Sequence, residues 1–147
     1  MFKKILVPTD GSELADKALN TAIEFAKENQ STLVALTVVE FPPHFLLSEG
    51  SSVAPTDTLP MKKHLQQQAE QHVKKLVNIA TAAGVPCQAV IAQGHSPAQE
   101  IVNAAKDNQC DVIFMTSHGH SGLNKIFLGS ETQKVLANSD IPVLVLR

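Results

Sequence analysis

Two short stretches, far apart in the chain, carry the polar chemistry of this sequence. The first, Pro8-Thr9-Asp10-Gly11-Ser12, sets a carboxylate and two hydroxyls on one turn. The second runs Thr116-Ser117-His118-Gly119-His120-Ser121-Gly122 and, after Leu123–Leu128, ends in Gly129-Ser130-Glu131-Thr132. Glycines at 119, 122 and 129 let backbone approach a ligand closely. Ser130 opens a helix, and free helix amides suit phosphate oxygens.

Each of these residues also has a plainer role. Asp10-Gly11-Ser12 is a turn and a helix cap. Ser130 with Gln133 fits a capping box, which commits its hydroxyl to the helix unless a ligand uses the other lone pairs or displaces the cap. His118 and His120 flank Gly119, but two histidines without a third ligand make a poor zinc site. His64 and His72 fall on a helix and are expected at its surface. Cys87 and Cys110 match neither a zinc spacing nor a CxxC pair and read as small buried hydrophobes.

Catalytic patterns are missing. The sequence has no GxxxxGK[ST] phosphate loop and no GxSxG elbow. His118-Gly119-His120 lacks the HxGH spacing of adenylyl-transferring α/β enzymes. No general base for attack on a phosphate is identifiable from the sequence pattern. Binding, with slow hydrolysis at most, fits better than dedicated turnover.

The elements that position these stretches alternate along the chain. Ile5-Leu6-Val7 is a short strand that stops at Pro8. Ser12 then caps a helix whose Ala15, Ala18, Leu19, Ala22 and Ala26 recur at helical spacing. Leu33 to Val39 is almost continuously apolar, as in a strand covered on both faces. Residues 41–60, with four prolines, form a long variable loop placed to fold over a ligand or to serve as a neutral insertion. A helix from about Pro60 to Ala83 carries Met61, Leu65, Ala69, Val73, Leu76 and Ala80 on one face and ends at Gly84-Val85-Pro86. Cys87–Ala92 is a third strand. Ser96-Pro97-Ala98-Gln99 starts a helix with proline at its first position. Val112–Met115 is a fourth strand, a short helix lies around 132–137, and Ile141–Leu146 is the last strand. This order predicts a single-domain, open five-stranded parallel α/β sheet with helices on both faces.

Composition narrows the function classes. The 147 residues carry 12 Lys and Arg against 14 Asp and Glu, a net charge of −2, which disfavours a general phosphate-backbone binder. Six Phe with no Trp or Tyr leave little for a platform that stacks single-stranded nucleic acid. No apolar run approaches the roughly 18 residues of a membrane span, and Met1-Phe2-Lys3-Lys4 leads into no signal-like segment. A cytoplasmic protein without nucleic-acid or membrane partners is expected.

Taken together, these residues resemble the nucleotide-binding branch of the universal stress protein family. That branch is marked by Gly-x2-Gly-x9-Gly followed by Ser or Thr, and here the pattern reads Thr116-x2-Gly119-x9-Gly129-Ser130. The opening Lys3-Lys4-Ile5-Leu6-Val7-Pro8-Thr9-Asp10-Gly11-Ser12 and the close Ser130-Glu131-Thr132-Gln133-Lys134-Val135-Leu136, then Ile141-Pro142-Val143-Leu144-Val145, are similar to the family's two ends. The resemblance covers the whole chain apart from 41–60. It implies a Rossmann-like, adenine-nucleotide alpha-hydrolase-like fold and an ATP site with Mg or Mn. In that site Pro8, Thr9 and Asp10 lie near the adenosine, with Asp10 reaching the metal through water. Val38 meets adenine through its backbone. Thr116, Ser117, His118, Gly119, His120, Ser121 and Gly122 wrap the phosphates, Gly129 and Ser130 bind them, and Glu131 and Thr132 complete the rim. It also implies a homodimer, to which the open edge of an apolar C-terminal strand points on its own account. Thr116 departs from the motif glycine. It is an obstacle if that position needs a positive φ or no Cβ, and harmless if it needs only a small side chain. A family member that has lost nucleotide and acts through protein contacts is the alternative.

Overall fold

A computed structural model describes residues 1–40, 59–117 and 129–147. Among the described residues nine elements follow in chain order: β1 (Lys4–Pro8), α1 (Glu13–Asn29), β2 (Thr32–Glu40), α2 (Leu59–Ala82), β3 (Cys87–Gly94), α3 (Pro97–Asp107), β4 (Val112–Thr116), α4 (Ser130–Asn138) and β5 (Val143–Leu146). The strands form one sheet in the order β3-β2-β1-β4-β5, every neighbouring pair parallel. The chain winds outward from β1 to β3, then crosses to β4 on the other side of β1. The gap between β1 and β4 is therefore where the winding reverses, the place where open parallel sheets bind ligands.

The pleat divides the core. Ile5, Val7, Leu33, Ala35, Val112 and Phe114 face one way and pack with Leu19, Ala22 and Ile23 of α1 and Leu76 and Ala80 of α2. Leu6, Val34, Leu36, Ile113 and Met115 face the other way and pack with Ile101, Val102 and Ala105 of α3 and Val135 of α4. The near-continuous apolar runs of β1, β2 and β4 follow from burial on both sides. Each fully buried side chain of this size contributes about 1.5–3 kcal/mol of apolar transfer. Phe114 is the largest of them, and Phe25 of α1 meets it edge-on with ring centroids 5.4 Å apart.

Local signals set the ends. The Ser12 hydroxyl accepts from the Ala15 amide at 3.2 Å, and Glu13 and Asp16 occupy the electropositive first turn. Gly84, at φ +80°, turns the chain out of α2 so that the Val85 amide reaches the Ala80 carbonyl at 2.9 Å. Some boundaries differ from the sequence reading. Strand β3 runs on to Gly94, two residues past Ala92, because β2 continues beside it to Glu40. Strand β5 starts at Val143, since Ile141 is held in a turn whose amide and carbonyl both bond the Ser139 hydroxyl. Met61, placed on the apolar face of α2, is 49% exposed, whereas Ala69, Val73, Leu76 and Ala80 are buried. The variable loop falls outside the described residues up to 58, and its last two positions already belong to α2. Among the described residues no helix is long and apolar enough to cross a membrane.

Candidate functional site

At the carboxyl ends of β1, β2 and β4 lies a cleft of about 380 Å³. Of the residues singled out from the sequence, Pro8, Thr9, Asp10, Val38, Thr116, Gly129, Ser130, Glu131 and Thr132 line it together. Three chain segments, up to 124 positions apart, thus converge on the winding reversal. Ser117 is buried beside the cleft, where its carbonyl accepts from the Gly129 amide at 2.7 Å. His118, Gly119, His120, Ser121 and Gly122 lie outside the described residues.

The β1–α1 turn is fixed by its own side chains. The Thr9 amide donates to the Leu36 carbonyl at 2.7 Å, and the Thr9 carbonyl accepts from the Thr37 hydroxyl of β2 at 3.3 Å. The Thr9 hydroxyl accepts from Gly11 N–H, and Asp10 Oδ1 accepts from Ser12 N–H at 2.9 Å. Gly11 sits at φ +80° under the His72 ring of α2. A Cβ there would come within 2.6 Å of Nε2, so conformation and space both demand glycine. His72 is therefore half-buried against the turn, while His64 is exposed as expected.

Strand β2 overhangs β1. Pro8 pairs with Leu36, and nothing of β1 continues beside residues 37–40. Backbone groups alternate sides every residue in a parallel strand, so Val38, two on from Leu36, turns its N–H and C=O to the side β1 has vacated. That leaves one donor and one acceptor on the cleft wall.

Two helix N-termini, those of α3 and α4, also converge here. At α3, Pro97 has no N–H, the Ser96 hydroxyl takes Gln99 N–H, and Glu131 Oε2 takes Ala98 N–H at 3.0 Å. Lys134 Nζ steadies the other Glu131 oxygen at 3.2 Å. At α4 the N-cap is Gly129, which has no side chain to offer. The amides of Ser130, Glu131 and Thr132 find no acceptor among the described residues. The capping box read from Ser130 and Gln133 is thus shifted by one. Ser130 is the first helical residue rather than the cap, and the helix start is held by Gln133 N–H on the Gly129 carbonyl at 3.1 Å.

Thr116 ends β4 in ordinary strand conformation; the described non-glycine residues with positive φ are Phe2, Gln30 and Gln109. Its carbonyl accepts from the Thr132 hydroxyl at 2.9 Å, tying β4 to the first turn of α4. The backbone at this position therefore does not require glycine.

Several lining residues escaped the sequence reading. Leu36, Ile101 and Met115 give the apolar floor, Ala15 and Pro97 the walls, and Glu40 a third carboxylate beside Asp10 and Glu131. Among the described residues no cluster of three metal-ligating side chains occurs. Burial pushes the Cys110 thiol up to about 11, so it stays protonated and inert near neutrality. Cys87 is only half-buried, and burial raises its pKa too.

The family model for universal stress proteins matches residues 1–147. The chain belongs to the universal stress protein family. It is 34% identical over 148 residues to the universal stress protein MJ0531 of Methanocaldococcus jannaschii, covering 100% of this chain and 83% of that one. The solved structure of MJ0577, from the same organism, shares 32% identity at a TM-score of 0.84, over 99% of this chain and 96% of the other. A more distant universal stress protein, solved in complex with cAMP, shares 21% identity at a TM-score of 0.69 over 99% of this chain and 97% of the other. At that distance the likeness is one of fold. For this family member the Rossmann-like sheet implied by the resemblance is the observed one.

Proposed function

We propose that this universal stress protein binds ATP, with Mg or Mn, in the cleft at the winding reversal, and acts as a nucleotide-dependent stress-signalling module. The observation that carries the reading is that the N-terminus of α4 has no side-chain cap and, on β2, Val38 turns an N–H and C=O without partner among the described residues into the same cleft. Free amides and the helix dipole suit phosphate oxygens. A donor–acceptor pair on a strand edge suits N1 and the 6-amino group of adenine. Between them stands Asp10, whose carboxylate bonds ribose hydroxyls or reaches the metal through water. From β4 to β2 is two strand spacings, about 10 Å, a span that an adenosine phosphate bridges. The relative solved with cAMP supports an adenine nucleotide as the ligand class.

Asp10 Oδ1 holds the Ser12 amide and Glu131 holds the start of α3, which supports a reading in which ATP is held and at most slowly hydrolysed. Nucleotide released by denaturing the purified protein, identified by mass spectrometry, tests the binding. ATP or ADP near one per chain is expected; protein that emerges free of nucleotide and takes none up contradicts it. A turnover assay then sets the hydrolysis rate, and a kcat above about 1 s⁻¹ would make the protein an enzyme instead.

We further infer a homodimer through β5. This strand is an edge of the sheet, and Leu144 on it is 43% exposed. An open apolar edge favours pairing with a second copy about a two-fold axis. Sedimentation at micromolar concentration should give a dimer for the wild type and a monomer for Leu144→Asp. A monomeric wild type, or a dimer indifferent to the substitution, overturns this.

A further inference from the structure

Three carboxylates line the cleft, and two of them are engaged. Asp10 Oδ1 holds the Ser12 amide, and Glu131 is spent on Ala98 N–H and Lys134. Glu40 has no hydrogen-bond or ion-pair partner among the described residues. The register explains why its side chain meets so little. Its partner on β3 is Gly94, whose side-chain position is taken by the Glu100 side chain, another acceptor that offers Glu40 no donor, and on the other side β1 has already ended at the Leu36 level. Glu40 stands two residues, about 6.5 Å, beyond Val38 on the same face of β2. It therefore lines the end of the cleft farthest from the α4 amides, where the base of a nucleotide would lie.

We propose that Glu40 is the residue that makes this site choose a 6-amino purine over a 6-oxo purine, an inference that rests on the nucleotide reading above. The backbone of Val38 alone is a weak discriminator. It offers one donor and one acceptor, and guanine also presents a donor and an acceptor on that edge, so a small slide of the ring re-forms both bonds. The 6-amino group of adenine has two hydrogens. One serves the Val38 carbonyl, and the second points along β2 toward Glu40. An ionised carboxylate only accepts, so it satisfies that second hydrogen. A 6-oxo group brings lone pairs to the same place, leaving two acceptors facing each other. A site that rejects the wrong group by unpaired polar contact discriminates more sharply than one that rejects by shape.

The prediction has a sign that a merely structural role would not produce. Glutamine keeps the length of Glu40 but adds an N–H donor, which a 6-oxo group can use. In equilibrium binding of ATP and GTP with Mg, Glu40→Gln should tighten GTP and loosen ATP, lowering the ATP:GTP affinity ratio about tenfold or more. Glu40→Ala should loosen ATP and, by removing the opposing acceptor without adding a donor, tighten GTP less than Glu40→Gln does. Glu40 is exposed and outside the core, and far-ultraviolet circular dichroism should confirm that both variants stay folded. An ATP:GTP ratio within twofold of wild type in both variants, with wild type binding ATP, overturns the role of Glu40 alone. A wild type that binds neither nucleotide overturns this role together with the nucleotide reading.

Discussion

The N-termini of α3 and α4 face the same cleft with the same dipole, yet one is closed and the other open. At α3 every early donor is removed or occupied: Pro97 lacks its N–H, Ser96 caps Gln99, and Glu131 reaches across from α4 to Ala98. At α4 the cap is a glycine, and the first three amides find no acceptor among the described residues. A helix start is thus an anion site only where the cap declines to fill it. On the nucleotide reading proposed above, that difference would give a bound phosphate one place and one orientation. Glu131 serves both ends of this contrast. Its side chain seals α3 while its backbone amide remains part of the open turn of α4.

The contrast can be broken most severely by closing α4. Gly129 has φ −58° and ψ 150°, a conformation open to any residue. Gly129→Asp would supply the missing side-chain cap, stabilising the helix by roughly a few tenths of a kcal/mol over glycine. The same carboxylate would occupy the amides and repel phosphate. Thermal unfolding should therefore rise while ATP affinity, measured by equilibrium dialysis, falls about a hundredfold, a loss near 2.7 kcal/mol. A rise in both, or an unchanged affinity, would show that the α4 amides do not hold the ligand.

Ser130→Ala is the next largest change. Because Ser130 is the first helical residue and not the cap, its loss should leave stability within about 0.5 kcal/mol. Affinity for ATP should drop about tenfold through the missing hydroxyl bond. A loss of stability equal to the loss of affinity would restore the capping role that its pairing with Gln133 suggests. The smallest effect on binding is expected from opening α3. Ser96→Ala should cost about 1 kcal/mol of stability by denaturant titration. It should leave ATP affinity within twofold, since Pro97 and Glu131 keep that terminus closed. A marked gain in affinity would mean that α3 competes for the anion.

What was legible in the sequence follows the range of the interactions concerned. Ile5-Leu6-Val7, Leu33–Val39 and Val112–Met115 announce strands because burial on both faces needs no register to be known. Ser12 and Ser96 announce caps because the bonded amides lie three residues away. Pro8–Asp10 and Ser130–Thr132 could be brought to one cleft because parallel winding order places the turns after the first and fourth strands together, whereas Val38 was implied only by the family resemblance. The one-residue ambiguity at Gly129-Ser130 was not resolvable, since both residues are good caps and the choice depends on how the chain arrives from β4. Glu131 on Ala98, His72 over Gly11 and the overhang that frees Glu40 all depend on contacts between segments whose spacing the sequence does not encode locally. The apolar floor of Leu36, Ile101 and Met115 read simply as core, which it also is.

The central claim, that an open helix terminus and an open strand edge make one nucleotide cleft, is tested most directly by calorimetric titration of the nucleotide-free wild-type protein with Mg-ATP. Saturable binding near one ATP per chain is the predicted result. Folded protein that shows no heat and no binding at millimolar Mg-ATP would contradict the account.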